Sequence, residues 1–187
     1  MRRGRWTEWH GQDYFSGGRI SMIKFPTLVG SCYSNLKVML FGLPTVKLIP
    51  LALLLTYVAT LPSVISVLVS PESPIGGPGW GKQDVFRMIL FGCVLAPLLE
   101  TAFHQWACLR ILQKLRCRAS VAILVSSAVF GLAHDYSIPY MATAFLGGVV
   151  LSTVFVIESK RNGHPFLATL TVHALRNWIT TTYILLV

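Results

Sequence analysis

Residues 48–70 read LIPLALLLTYVATLPSVISVLVS and contain no charged side chain. A helix of about 20 residues, rising 1.5 Å per residue, crosses the ~30 Å hydrocarbon core of a bilayer, so this run is long enough to span. Comparable apolar runs cover residues 85–112, 119–134, 138–157 and 165–187, and a shorter one at 36–43 is cut by Pro44 and Lys47. Charged residues make up 12% of the chain and the mean hydropathy is +0.62, whereas a soluble domain carries about 25% charged residues. The core of a soluble domain does not account for so many apolar runs in one short chain. The expectation is an all-α, polytopic membrane helix bundle with about five transmembrane helices.

No repeat and no internal linker divides the chain. Residues 1–35 are expected to be a basic cytoplasmic or interfacial N-terminal segment, and 36–187 the transmembrane domain, with its chemistry within about 84–180. The opening MRRGRWTEWHGQDYFSGGR is basic but has no apolar run directly behind it, so it does not read as a cleaved signal peptide. Trp6 and Trp9 suit the headgroup level, and Met22 is an alternative start. The net charge of +9 is scattered over short loops instead of lining one face, which argues for topology and against nucleic-acid binding.

Lysine and arginine concentrate before the first span, in RILQKLRCR and in ESKRNGH, and are sparse in the alternate loops. This asymmetry places the N-terminus in the cytoplasm of a multi-pass integral membrane protein, read as one of a bacterial cytoplasmic membrane. Cys32, Cys93, Cys108 and Cys117 have no metal-type spacing and are expected to be free thiols.

Polar groups inside the spans carry the functional signal, because each is costly to place in hydrocarbon. Glu100 and His104 are four apart on one helix and share a face, and Thr101 and Gln105 form a second such pair. His134 closes the third span in SSAVFGLAH. In the fifth, His173 and Asn177 are again four apart. A structural ion pair between Glu100 and Arg176 is the plain alternative for the glutamate. His104 reads as a packing or supporting residue, and His10 and His164 fall in polar segments with no assigned role. By helix rise His134 stands roughly 24 Å from Arg118 and His173 roughly 18 Å from Arg161, so convergence requires tilted helices or a late start of the fifth.

Pro97 followed by Glu100, then Phe130 and His134 in FGLAH, then His173 and Asn177 in HALRN, together resemble the motifs of the CPBP intramembrane proteases. This is the CAAX prenyl endopeptidase and bacteriocin-processing (Abi) family. The tract FLGGVVLSTVF is similar to that family's glycine-bearing core helix. One departure stands out: the family's second glutamate and its arginine are replaced here by Thr101 and Gln105. A matched neutral exchange of this kind strands neither charge. The resemblance implies an intramembrane endopeptidase acting on a membrane-associated or lipidated protein or peptide within the lipid bilayer.

The residue types support that chemistry. Peptide hydrolysis needs an activated water, stabilisation of the oxyanion and a proton for the leaving amine. A buried glutamate can take a proton from water, so Glu100 with His134 is expected to activate it. His173 and Asn177 are then expected to hold the oxyanion, each donor contributing about 3–4 kcal/mol. Thr101, His104, Gln105 and Phe130 support the site. No cofactor is favoured; the competing scheme is a zinc ion held by Glu100, His134 and His173. No His-Glu-x-x-His helix accompanies it, and zinc ligation would leave His104 as the only nearby base. Two non-proteolytic readings stay open: a partner-binding or immunity factor on the same scaffold, and a small proton-relaying transporter.

Overall fold

A computed structural model describes residues 39–69 and 77–187. The basic N-terminal segment, including Trp6, Trp9, Met22 and Cys32, lies outside the described residues, as does the first part of the loop that follows residue 69. Among the described residues every regular element is helical. After a short helical stretch at 39–42, Pro44 precedes α1 (Thr45–Val58), and α2 (Leu61–Val69) follows a two-residue break. The long helix α3 runs Lys82–Lys114, followed by α4 (Ala119–Leu132), α5 (Ile138–Lys160) and α6 (Pro165–Leu186).

Local chemistry sets these boundaries. Pro62 sits in the first turn of α2, where its missing N–H costs nothing, and the Thr60 hydroxyl donates to the Tyr57 carbonyl at 2.6 Å at the break. Ser137 caps α5 by accepting the Tyr140 N–H at 3.1 Å, with Pro139 in the first turn. Pro165 opens α6. The helices α3 and α5 close with left-handed residues, Arg116 (φ 58°) and Asn162 (φ 55°). There Cys117 N–H reaches the Leu112 carbonyl at 3.0 Å and Gly163 N–H the Glu158 carbonyl at 2.9 Å, the six-to-one bond of a Schellman cap.

Among the described residues three segments are long and apolar enough to cross a membrane: Thr45–Ser66, Lys82–Lys114 and Ile138–Lys160. The other two expected spans are helices that fall short in different ways. At 14 residues α4 is about 21 Å long, less than the hydrocarbon thickness. The 22 residues of α6 are long enough, but His173, Arg176, Asn177 and several threonines lower their apolarity. The chain is an integral membrane helix bundle.

The bundle is organised around α5, half of whose apolar window is buried against 22% in the other two spans. Its Leu151, Val154 and Ile157 pack with Leu48 and Ala52 of α1, Phe130 of α4 and Ala168 and Val172 of α6. A second cluster joins Leu109, Ala122, Phe155 and Val156. The helices α4 and α5 approach closely through glycine: a Cβ on Gly131 would stand 2.9 Å from Phe145 Cβ, and one on Gly148 3.0 Å from the Phe130 ring. Outward residues such as Phe103, Leu124 and Leu167 are exposed, as lipid contact requires. Cys93 is buried, its thiol 3.3 Å from the Thr181 hydroxyl, and Cys93, Cys108 and Cys117 are free.

Candidate active site

The central irregularity of the bundle is α3. Residues Met88–Leu95 and Thr101–Cys108 are π-helical, and the short α-helical stretch Ala96–Glu100 lies between them. In the first π stretch Ala96 N–H donates to the Phe91 carbonyl five residues back. Pro97 gives a reason: in a straight α-helix its ring would press on the carbonyl of Cys93, and it offers no N–H of its own. Widening the helix by one residue per turn relieves the clash. Such π insertions concentrate at functional sites, and this one sets down Glu100 at the end of the α-helical stretch.

Three helices converge on that glutamate. Glu100 Oε2 lies 3.6 Å from His134 Nε2 and 3.4 Å from His173 Nε2. His134 stands just past the end of α4, in the turn to α5, and its Nδ1 donates to the Phe130 carbonyl at 2.7 Å. A carbonyl only accepts, so Nδ1 carries the hydrogen and a neutral ring leaves its Nε2 lone pair towards Glu100. Carboxylate and imidazole thus face one another across a gap that a proton can occupy on either side. His173 is 5% exposed and its Nδ1 is 3.3 Å from the Thr101 hydroxyl. A hydroxyl donating to Nδ1 fixes the hydrogen on Nε2, the nitrogen that points at Glu100. The site is open on one side, with Glu100 25% and His134 15% accessible.

Phe130 is the shared wall of the cluster. Its ring lies 4.5 Å from His134, 5.7 Å from His173 and 5.3 Å from His104, each between centroids. His104 therefore enters the site through Phe130, edge to face. Tyr140, which nothing in the sequence singled out, stacks on the outer side of His134 at 5.8 Å. Its only sequence signal is its place in the first turn after Ser-Ile-Pro.

The remaining expected residues are placed differently. Thr101 and Gln105 are both fully buried but make no pair: Thr101 turns to His173, and neither amide atom of Gln105 has a hydrogen-bond partner. The π-helical path of residues 101–108 separates what an α-helix would have stacked. Asn177 Nδ2 donates to the Gly92 carbonyl at 2.8 Å. Arg176 forms no ion pair with Glu100; no carboxylate among the described residues bridges it, and its Nε is buried without a hydrogen-bond partner. Tyr57 donates to the Arg176 carbonyl at 3.1 Å, tying α1 to α6 at this level. Among the described residues no group of three or more His, Cys, Asp or Glu has the arrangement of a metal site.

A family model described as Rce1-like, type II CAAX prenyl endopeptidase, matches residues 82–179, just over half of the chain. The chain belongs to this Rce1-like family. Neither the curated proteins nor the solved structures return a match to it. The matched segment starts with the first residue of α3 and ends within α6, so it contains Glu100, His134, His173 and Asn177. The Rce1-like family is one of membrane proteases whose substrates are prenylated proteins, so protease activity is its general property.

Proposed function

We propose that the chain is an intramembrane endopeptidase that hydrolyses a peptide bond in a prenylated or otherwise membrane-associated protein or peptide. The observation that carries this reading is the glutamate oxygen held 3.4–3.6 Å from two imidazole nitrogens in an otherwise apolar bundle. A water between Glu100 and His134 loses its proton to this pair as its oxygen attacks the scissile carbonyl. His173 donates its Nε2–H to the oxyanion, and Arg176, one helical turn further along α6, adds positive charge to the same side. The proton taken from water then passes to the leaving amine, and the C–N bond breaks. The basic loops lie at the cytoplasmic face, following their charge asymmetry.

The test is cleavage of a farnesylated peptide by purified protein in liposomes. Glu100→Gln is expected to abolish turnover while the variant still inserts and unfolds like the parent. Retained turnover in that variant overturns the assignment. The zinc scheme uses the same three side chains and is separated by metal analysis: one chelator-sensitive zinc per active molecule replaces the glutamate mechanism with a metal-based one. A non-catalytic partner-binding role predicts that His134→Ala leaves the cellular phenotype intact, whereas a peptidase loses it.

A further inference from the structure

The basic end of the bundle holds a cavity of about 360 Å³ that the proposed chemistry does not use. It lies where the C-terminal parts of α3 and α5 meet the start of α6, and its lining includes Trp106, Arg110, Ser159, Phe166 and Leu167. By helix rise Arg110 stands about 15 Å along α3 from Glu100, and Pro165 about 12 Å along α6 from His173. The cavity is therefore separate from the catalytic cluster.

Three kinds of hydrogen-bond donor line it. Pro165 has no N–H and Ala168 N–H takes the His164 carbonyl at 2.9 Å, so the open donors in the first turn of α6 are Phe166 and Leu167. No side chain caps them and no acidic residue stands in that turn, a setting that favours an anion. Ser159 points to a ligand independently of the helix start. It is 6% exposed, and its hydroxyl has no hydrogen-bond partner among the described residues. A buried hydroxyl left unmatched is costly, and a ligand oxygen would relieve it. Arg110 adds a full positive charge, its Cζ 4.9 Å from the centroid of the Trp106 ring. Among the described residues no Asp or Glu lines the cavity, and neighbouring Glu158 is already ion-paired with Arg161.

Backbone N–H groups, a hydroxyl and a guanidinium together suit a phosphate. Trp106 and Leu167 are exposed on the outer surface of the bundle, and tryptophan favours the headgroup level of a bilayer. A phosphate found at that level is the one that carries acyl chains. We infer that this cavity binds the phosphate of an anionic phospholipid headgroup, with Arg110, the Ser159 hydroxyl and the Phe166 and Leu167 N–H groups as donors. The site does not depend on the peptidase reading.

The test is thermal unfolding of the purified full chain in neutral detergent. Dihexanoyl phosphatidylglycerol, dihexanoyl phosphatidylcholine and inorganic phosphate are titrated separately. Phosphatidylglycerol is expected to raise Tm saturably and the other two hardly at all. Equal stabilisation by phosphatidylcholine or by inorganic phosphate overturns the assignment to an anionic lipid. Arg110→Gln is expected to raise the half-saturating concentration about tenfold. Arg118→Gln removes the same charge from an exposed position outside the cavity and should change it less than about twofold. Equal effects of the two variants overturn the site in favour of general attraction to a basic protein. Ser159→Ala separates binding from folding, because it removes an unmatched buried hydroxyl. Its Tm without lipid should hold or rise, while the half-saturating concentration rises about threefold. A lipid response unchanged in Ser159→Ala overturns the proposed donor set, and should Arg110→Gln fail to fold, that titration decides alone.

Discussion

Among the described residues the bundle contains two glutamates, and they have opposite surroundings. Glu158, in the last turns of α5, is fully buried. Its carboxylate is ion-paired with Arg161, and Oε1 accepts from the Thr45 hydroxyl at 2.9 Å. Arg161 also donates to Thr45 at 3.0 Å and to the Leu43 carbonyl, so the pair fastens the start of α1 to the end of α5. Glu100 has no permanent cation; it faces two imidazoles and is a quarter exposed. A fixed guanidinium makes a carboxylate a structural clamp, whereas titratable partners and an open side leave it able to exchange protons. The arginines divide in the same way. Arg161 is matched, while Arg176 stands near the site with no carboxylate bridging it among the described residues. In the proposed mechanism the negative charge it lacks is the one that develops on the substrate oxyanion.

Removing a clamp should damage the fold and removing a reactive group should damage only turnover, so the comparison breaks first at Glu158. Glu158→Ala strands a partly buried guanidinium, and breaking such a pair costs roughly 3–5 kcal/mol. Chemical denaturation is expected to show that loss, while turnover per folded molecule stays near the parent's. A double variant that replaces Glu158 and Arg161 by apolar residues should be less damaged than the single one, because no charge is stranded. A Glu158 variant that is fully stable yet inactive would dissolve the distinction between the two glutamates.

The intermediate effect belongs to Arg176. Arg176→Gln is expected to reduce kcat by up to about a hundredfold, the scale of one lost oxyanion-directed group. Because no ion pair is broken, stability should hold or rise slightly. A fall of several kcal/mol on denaturation would instead make Arg176 a second clamp.

These contrasts also mark what could be read from residues alone. The helices were legible because apolar runs, Ser137-Ile-Pro and Pro165 are local signals, and so was the set Glu100, His134 and His173, because ionisable groups stand out in apolar runs. The role of Glu158 was not. In ESKRNGH it reads as part of a basic loop, and its burial depends on Thr45 and Leu43, more than a hundred residues away. The π register of α3 was equally hidden: Pro97 announces a defect, but whether the helix kinks, breaks or widens depends on which neighbour supplies the lost donor. Thr101 and Gln105 show the same dependence, since reading them as a stacked pair assumed the α-helical period that Thr101–Cys108 does not follow.

The finest test of the comparison concerns what keeps His173 in one tautomer, since a titratable partner is useful only if its proton sits on the correct nitrogen. Thr101→Val keeps the shape of the side chain and removes the hydroxyl that meets His173 Nδ1 at 3.3 Å. Without that donor both tautomers become available, and the form with a hydrogen on Nε2 is diluted. The expected loss is about tenfold in kcat, or ~1.4 kcal/mol, with KM unchanged. Thr101→Ser retains the hydroxyl and should recover most of the activity even though it removes a methyl from a fully buried position. If serine falls as far as valine, Thr101 acts through packing and His173 needs no tautomeric guide. If serine recovers and valine does not, the site differs from the Glu158 clamp in kind, because a single neutral hydroxyl then governs turnover with little effect on stability.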